Sequence, residues 1–261
     1  VHPLDAAILR LPHISNFTDF MPLEQHPLLG VRYVQNTRQL GTPDLIILPG
    51  TKNTVDDLLW LRQSGLEAAL LKLAANGTPV LGVCGGYQML GMEISDPTGE
   101  EYGGTVQGMG LLDTKTVFRP EKHRTRVHGT FGEMKGILKE MEGLPFEGYE
   151  IHMGETTYEP GGTVFSAIAE TVGTQHVDEA MANGCQYQNA AGSYVHGLFD
   201  SVEMQKALLR LLCQKKGLPE EAVSWIDEKV YKEQQYDKLA EGLRENMDMA
   251  KIYQILEEGL A

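Results

Sequence analysis

The chain reads as an α/β protein: a mostly parallel sheet flanked by helices, with β insertions and a C-terminal helical extension. Three observations predict this. The branched apolar runs Leu45-Ile46-Ile47-Leu48 and Val80-Leu81-Gly82-Val83 are too short and too β-branched for helices and fit buried strands. Between them, Val55, Leu58, Leu59 and Leu61 recur at helical spacing, and 66–75 continues as a second helical stretch, so strand, helix and strand follow in order. From Val202 onward the pattern is helical.

The elements follow in chain order. Residues 6–11 are apolar and strand-like up to Pro12, and 31–34 offer a second strand before that at 45–48. Asn53 or Thr54 can cap the helix that follows. The region 95–178 is different, being rich in Gly and Thr with short alternating runs at 114–118, 149–153 and 164–169. These runs predict β-hairpins and longer loops that decorate the sheet. Beyond them, Met204, Leu208, Leu211 and Leu212 share one apolar helical face, and 226–256 supplies charged amphipathic helices. Much of the tail's acid lies at its two ends (Glu220, Glu221, Asp227, Glu228, Glu257, Glu258), as in a solvated extension. The division expected is one α/β domain over 1–200 and a helical extension over 201–261 packed on it.

Composition narrows the function classes. A formal net charge of −14 argues against extended nucleic-acid binding, which needs a basic footprint. No apolar run approaches the ~18 residues of a membrane-spanning helix. The three cysteines, Cys84, Cys185 and Cys213, form no C-x-x-C pair, which argues against a disulfide framework and a zinc site and fits a reducing cytoplasm. No metal is expected, and Cys185 and Cys213 are expected to be structural. The chain opens at Val1 rather than Met and is read as a fragment.

The chemistry concentrates at Gly82-Val83-Cys84-Gly85-Gly86-Tyr87-Gln88. A cysteine at the end of an apolar strand, followed by two glycines and a helix start, is a nucleophile-elbow pattern. The glycines permit a tight turn and let a substrate approach backbone N–H groups, and the helix N-terminus sets positive dipole charge beside the sulfur. Far downstream, Tyr194-Val195-His196-Gly197 ends another apolar segment on a histidine. Cys and His distant in sequence but joined by the fold are the expected form of a nucleophile–base pair.

These motifs, together with Arg10-Leu11-Pro12-His13-Ile14-Ser15-Asn16-Phe17-Thr18-Asp19-Phe20, Leu48-Pro49-Gly50-Thr51-Lys52-Asn53-Thr54, Tyr149-Glu150-Ile151-His152-Met153-Gly154 and Gln234-Gln235-Tyr236-Asp237, closely resemble the cobyric acid synthase family. The resembling part is that family's C-terminal class I glutamine amidotransferase region, and it spans nearly the whole chain. The resemblance implies that Cys84 attacks the side-chain amide of L-glutamine and that His196 is its base. It places oxyanion donors at Gly85 and at Gly50 or Thr51, and a glutamine contact at Gln88. It also implies an N-terminal ATP-dependent synthetase domain as partner, carrying ATP, Mg²⁺ and the corrinoid, with no cofactor in this chain. No G-x-x-x-x-G-K-[ST] phosphate loop occurs here, as expected if that half lies elsewhere. The related readings are the amidotransferase part of cobyrinic acid a,c-diamide synthase and the lipid II amidotransferase. A reading from another class is a non-catalytic corrinoid- or partner-binding module.

One departure stands out. Class I amidotransferases usually carry His-x-Glu, whereas the second residue after His196 is Leu198. The group that orients the imidazole is left open among Asp200, Glu150 and a backbone carbonyl. Arg119, Lys122, His123, Arg124 and Arg126 form a basic cluster that would grip carboxylates, dock another domain or simply be solvated. His152 is expected to border the glutamine pocket or to be a structural residue. His13 is expected near a domain interface.

Overall fold

Each short apolar run of the first third becomes a strand. The computed structural model describes residues 2–158, 163–172, 175–176, 181–219, 228–249 and 251–253. Its first strands are β1 (Leu4–Leu9), β2 (Leu29–Val34), β3 (Leu45–Leu48) and β4 (Val80–Val83). There follow β5 (Glu93–Asp96), β6 (Gly104–Gln107), β7 (Thr114–Phe131), β8 (Pro145–Tyr158) and β9 (Thr163–Val172). The last are β10 (Gln175–His176), β11 (Met181–Tyr187), β12 (Ala190–Ser193) and β13 (Val195–His196). The helices are α1 (Met21–Glu24), α2 (Thr37–Leu40), α3 (Thr54–Gln63), α4 (Leu66–Ala75), α5 (Gly85–Leu90), α6 (Val202–Lys216) and α7 (Glu228–Asn246).

One half of the sheet is parallel, in the order β2-β1-β3-β4-β12. Every residue of β3, β4 and β12 is buried, which is why these strands read as continuous apolar or small-residue runs rather than as alternation. Asn53 caps α3 by accepting the Asp56 N–H, as the sequence suggests.

The middle of the chain departs from expectation. Instead of hairpins decorating the sheet, β11, β9, β7 and β8 continue it antiparallel from the free edge of β12, and β13 pairs with β8. The runs at 114–118 and 149–153 are parts of strands of 18 and 14 residues. A bulge between Phe118 and His123 interrupts the β7–β8 pairing, and the charged segment between hides the strand's length from an alternation test. The basic cluster begins on this segment, where Arg119 pairs with Glu155, and runs on into the paired residues His123, Arg124 and Arg126.

The expected boundary after residue 200 moves. One compact unit spans Val1–Glu220 and a second Glu221–Ala261. The α6 helix belongs to the first because Met204, Ala207, Leu208, Leu211, Leu212 and Cys213 are all buried. In the second unit α7 exposes Tyr236, Leu239 and Leu243. Within the stretch assigned to amphipathic helices, positions 226–227, 250 and 254–256 lie outside the described residues, as do Glu220, Glu221, Glu257 and Glu258. Among the described residues no helix is long and apolar enough to cross a membrane.

The loop between β5 and β6 is organised by one buried carboxylate. Asp96 accepts the backbone N–H groups of Glu100, Glu101, Tyr102 and Gly103 at 2.8–2.9 Å. Burial alone would raise its pKa, but these four donors outweigh it and hold the carboxyl well below the usual range. The loop thereby delivers Glu101 to the first turn of α3, where its carboxylate accepts the Thr54 N–H at 2.6 Å. Asp96→Ala is expected to cost roughly 1–3 kcal/mol, because four backbone N–H groups of the loop lose one charged acceptor at once. Thermal melts would check this, and an unchanged Tm would contradict it.

Candidate active site

Side chains gather where parallel strands end. The chain leaves β1, β3, β4 and β12 at the same edge of the sheet, the usual place for a crevice in an open α/β fold. From β1 comes the loop with Asn16 and Asp19; from β3, Gly50 and Thr51; from β4, Cys84; and from β12, Tyr194 and His196.

Cys84 sits at φ 52°, ψ −110°, a conformation that a non-glycine residue adopts only under constraint. The constraint comes from both sides. The Cys84 N–H donates to Ser193 O at 2.8 Å, and its carbonyl accepts the Gln88 N–H of α5 at 3.1 Å. The elbow predicted from Gly82 to Gln88 is therefore present. Its side chain projects towards β8, where Sγ donates to Ile151 O at 3.6 Å.

His196 lies across Gly50 from the sulfur. A carbon placed on Gly50 Cα would stand 3.2 Å from His196 Cε1 and 3.7 Å from Cys84 Cβ, so any larger residue would crowd the imidazole. His196 Nδ1 donates to Asp19 Oδ2 at 2.7 Å, and both side chains are almost wholly buried. The carboxylate facing the imidazole is thus Asp19. The candidates Asp200 and Glu150 are corrected by this geometry: Asp200 lies against Gly197, and Glu150 accepts from Asn183 Nδ2. With Nδ1 committed to Asp19, Nε2 is the nitrogen that can serve Cys84. Burial alone would lower the His196 pKa. Hydrogen bonds to Asp19 and Cys84, and the charges of both, outweigh it and raise the value to about 9.

Two neighbours complete the ring's surroundings. The Asn16 amide nitrogen lies 3.0 and 3.1 Å from the two ring nitrogens. The half-exposed Tyr149 ring stacks on the imidazole at 5.0 Å, placed there by the β13–β8 register His196↔Tyr149. Asn16, Asp19 and Tyr149 all fall inside motifs singled out from the sequence, but nothing in their spacing ties them to a histidine up to 180 residues away.

Thr51 is held against Gly85: a carbon on Gly85 Cα would stand 3.3 Å from Thr51 N and 2.6 Å from Thr51 Cγ2. The Thr51 loop is pinned by the buried Asp57 of α3, which accepts from Thr51 Oγ1, from the His13 N–H and from His13 Nδ1 at 2.8 Å. His13, expected near a domain interface, is here an anchor of that loop. Gln88 also differs from expectation. Its buried amide accepts from Thr54 Oγ1 and donates to Tyr194 OH, both at 3.1 Å, so it braces α3 against the His196 segment instead of opening to a ligand.

A cleft of about 830 Å³ lined by Phe146, Glu147, Ile168, Asp200 and Glu203 lies on the antiparallel half and contains none of Cys84, His196 and Asp19.

A model of the CobB/CobQ-like glutamine amidotransferase domain matches residues 5–204. The chain belongs to this family. Cobyric acid synthase of Ruminiclostridium cellulolyticum is 49 % identical over 260 residues, covering 98 % of this chain and 50 % of that protein. Cobyric acid synthase of Lachnoclostridium phytofermentans is 46 % identical over 265 residues, covering 98 % and 51 %. The chain thus spans about half the length of these curated relatives. Among solved structures, PurLQS from Thermotoga maritima superposes with a TM-score of 0.57 at 18 % identity, over 82 % of this chain and 99 % of that one. That likeness concerns the fold alone.

Proposed function

We propose that the chain is the glutamine-hydrolysing portion of a cobyric acid synthase, acting in the cytoplasm. The observation that carries the reading is the meeting of Cys84 and His196 at Gly50, with Asp19 bonded to the far nitrogen of the imidazole. The Cys84 sulfur adds to the carboxamide carbon of L-glutamine. The oxyanion formed is met by backbone N–H groups at Gly85 and at Gly50 or Thr51, which adjoin across the elbow. His196 gives its Nε2 proton to the departing nitrogen, so ammonia leaves and a γ-glutamyl thioester remains. Water, deprotonated by His196, then releases glutamate and restores the sulfur. Asp19 holds the imidazole by Nδ1 and stabilises its charged form throughout.

In this reading the ammonia passes to an N-terminal synthetase domain. There ATP and Mg²⁺ activate the b, d, e and g side-chain carboxylates of adenosylcobyrinic a,c-diamide. The relatives' names and their double length support that assignment. With ammonia release coupled to that domain, the isolated chain turns glutamine over weakly.

The glutamine-derived electrophile 6-diazo-5-oxo-norleucine tests the reading without requiring turnover. One equivalent should add at Cys84, L-glutamine should protect it, and Cys84→Ala should abolish it. Absence of labelling in the folded chain would favour a binding module and overturn the reading.

A further inference from the structure

A second cluster of ligating side chains lies behind the nucleophile. After the bulge, β7 and β8 pair with His123 opposite His152. Glu150 stands two residues before His152, on the same face of β8. The Glu150 carboxylate lies 3.5 Å from His123 Nε2 and 4.0 Å from His152 Nε2. The three ligating atoms all fall within 4.8 Å of one another. A tetrahedral cation with bonds of about 2.0–2.2 Å separates its ligands by roughly 3.4 Å, so the cluster is within a small side-chain adjustment of such a shell.

The supporting shell is already built. His152 Nδ1 donates to Gly154 O at 2.8 Å, which turns Nε2 towards Glu150. His152 Nε2 thus faces the Glu150 carboxylate in a mostly buried place. Glu150 is steered by Asn183, which is itself held by Ser193 Oγ at 2.6 Å. The His152 ring is fixed by stacking on Tyr194 at 3.7 Å.

We propose that His123, Glu150 and His152 form a three-ligand site for a divalent transition cation of the Zn²⁺ class, with a fourth position open. Two imidazoles and one carboxylate favour such an ion over Mg²⁺ or Ca²⁺, which take oxygen donors. The cysteine spacing argument against zinc does not reach this site, since no thiol takes part. The cation clamps β7 to the segment of β8 whose Ile151 carbonyl meets Cys84 Sγ. It would bind whether or not Cys84 forms a thioester.

The test uses the 261-residue chain stripped with a chelator and titrated with Co²⁺, then Zn²⁺. One equivalent of Co²⁺ should give the visible absorption of a four-coordinate ion without a thiolate charge-transfer band, unchanged in Cys84→Ser. Zn²⁺ at one hundred times its Kd should raise Tm by roughly 5–10 °C. His123→Ala, at a half-exposed ring, should weaken binding by more than the about 10–100-fold that loss of an outer partner costs. Glu150→Gln should do the same. The site is overturned by absence of the Co²⁺ signal at millimolar ion, by full-strength binding in His123→Ala, or by its loss in Cys84→Ser.

Discussion

Asp19→Asn is expected to lower kcat for glutamine hydrolysis about 10²–10⁴-fold while leaving a folded protein. The carboxylate lies 2.7 Å from His196 Nδ1, and the two groups bury each other. An amide of the same shape fills the space but carries no charge to oppose an imidazolium. The effect should fall on kcat more than on KM, because Asp19 meets the ring and not the substrate. A pH signature accompanies it. His196 holds its proton more tightly folded, with a pKa of about 9, than unfolded, where about 6.5 is expected. Its contribution to stability is therefore complete below about 6.5 and is lost as pH rises through about 9. In Asp19→Asn this loss should be smaller and be complete at lower pH, because the charged partner that raises the folded value is gone. Tm measured from neutral to alkaline pH, with the His196 ring proton followed by NMR, reads both effects. Unaltered kcat and an unaltered alkaline limb would remove Asp19 from the mechanism.

Gly86→Ala is expected to be at least as damaging, through the fold and not the chemistry. A Cβ at this position would stand 2.1 Å from Leu48 O and 2.5 Å from Leu48 C, both rigid backbone of β3. Either α5 lifts from the sheet or β3 moves, and each displaces the elbow at Cys84. We expect more than about 3 kcal/mol of destabilisation, or a fall in Tm on the order of 10 °C. Gly242→Ala is the matched control. It lies in α7, with nothing within 4 Å of the added carbon, so a small gain of up to about 1 kcal/mol is expected there. Equal effects of the two substitutions would refute the close-approach argument.

The parallel half of the sheet was legible because a strand covered on both faces must be apolar throughout, and 45–48 and 80–83 are. Cys84 was legible because the glycines after it answer a steric demand of the turn. The antiparallel half was not, because β7 carries charges in its middle and a bulge breaks its register, so alternation is visible only in fragments. Gln88 was assigned to ligand contact because an amide one turn into a helix has no visible partner in sequence. Thr54 and Tyr194, which occupy it, arrive from α3 and from the far side of β4.

Local chemistry alone was enough to single out Cys84, His196 and the strand each one ends. Those choices rest on short-range requirements: burial of a few consecutive side chains, a tight turn, and backbone N–H groups near a sulfur. Which carboxylate faces the imidazole was settled only when β12, β4, β3 and β1 lined up side by side. That alignment brings Asp19 to a ring 177 residues away, past the nearer Asp200. Long-range pairing depends on strand order, and strand order arises from the packing of the whole sheet rather than from any motif.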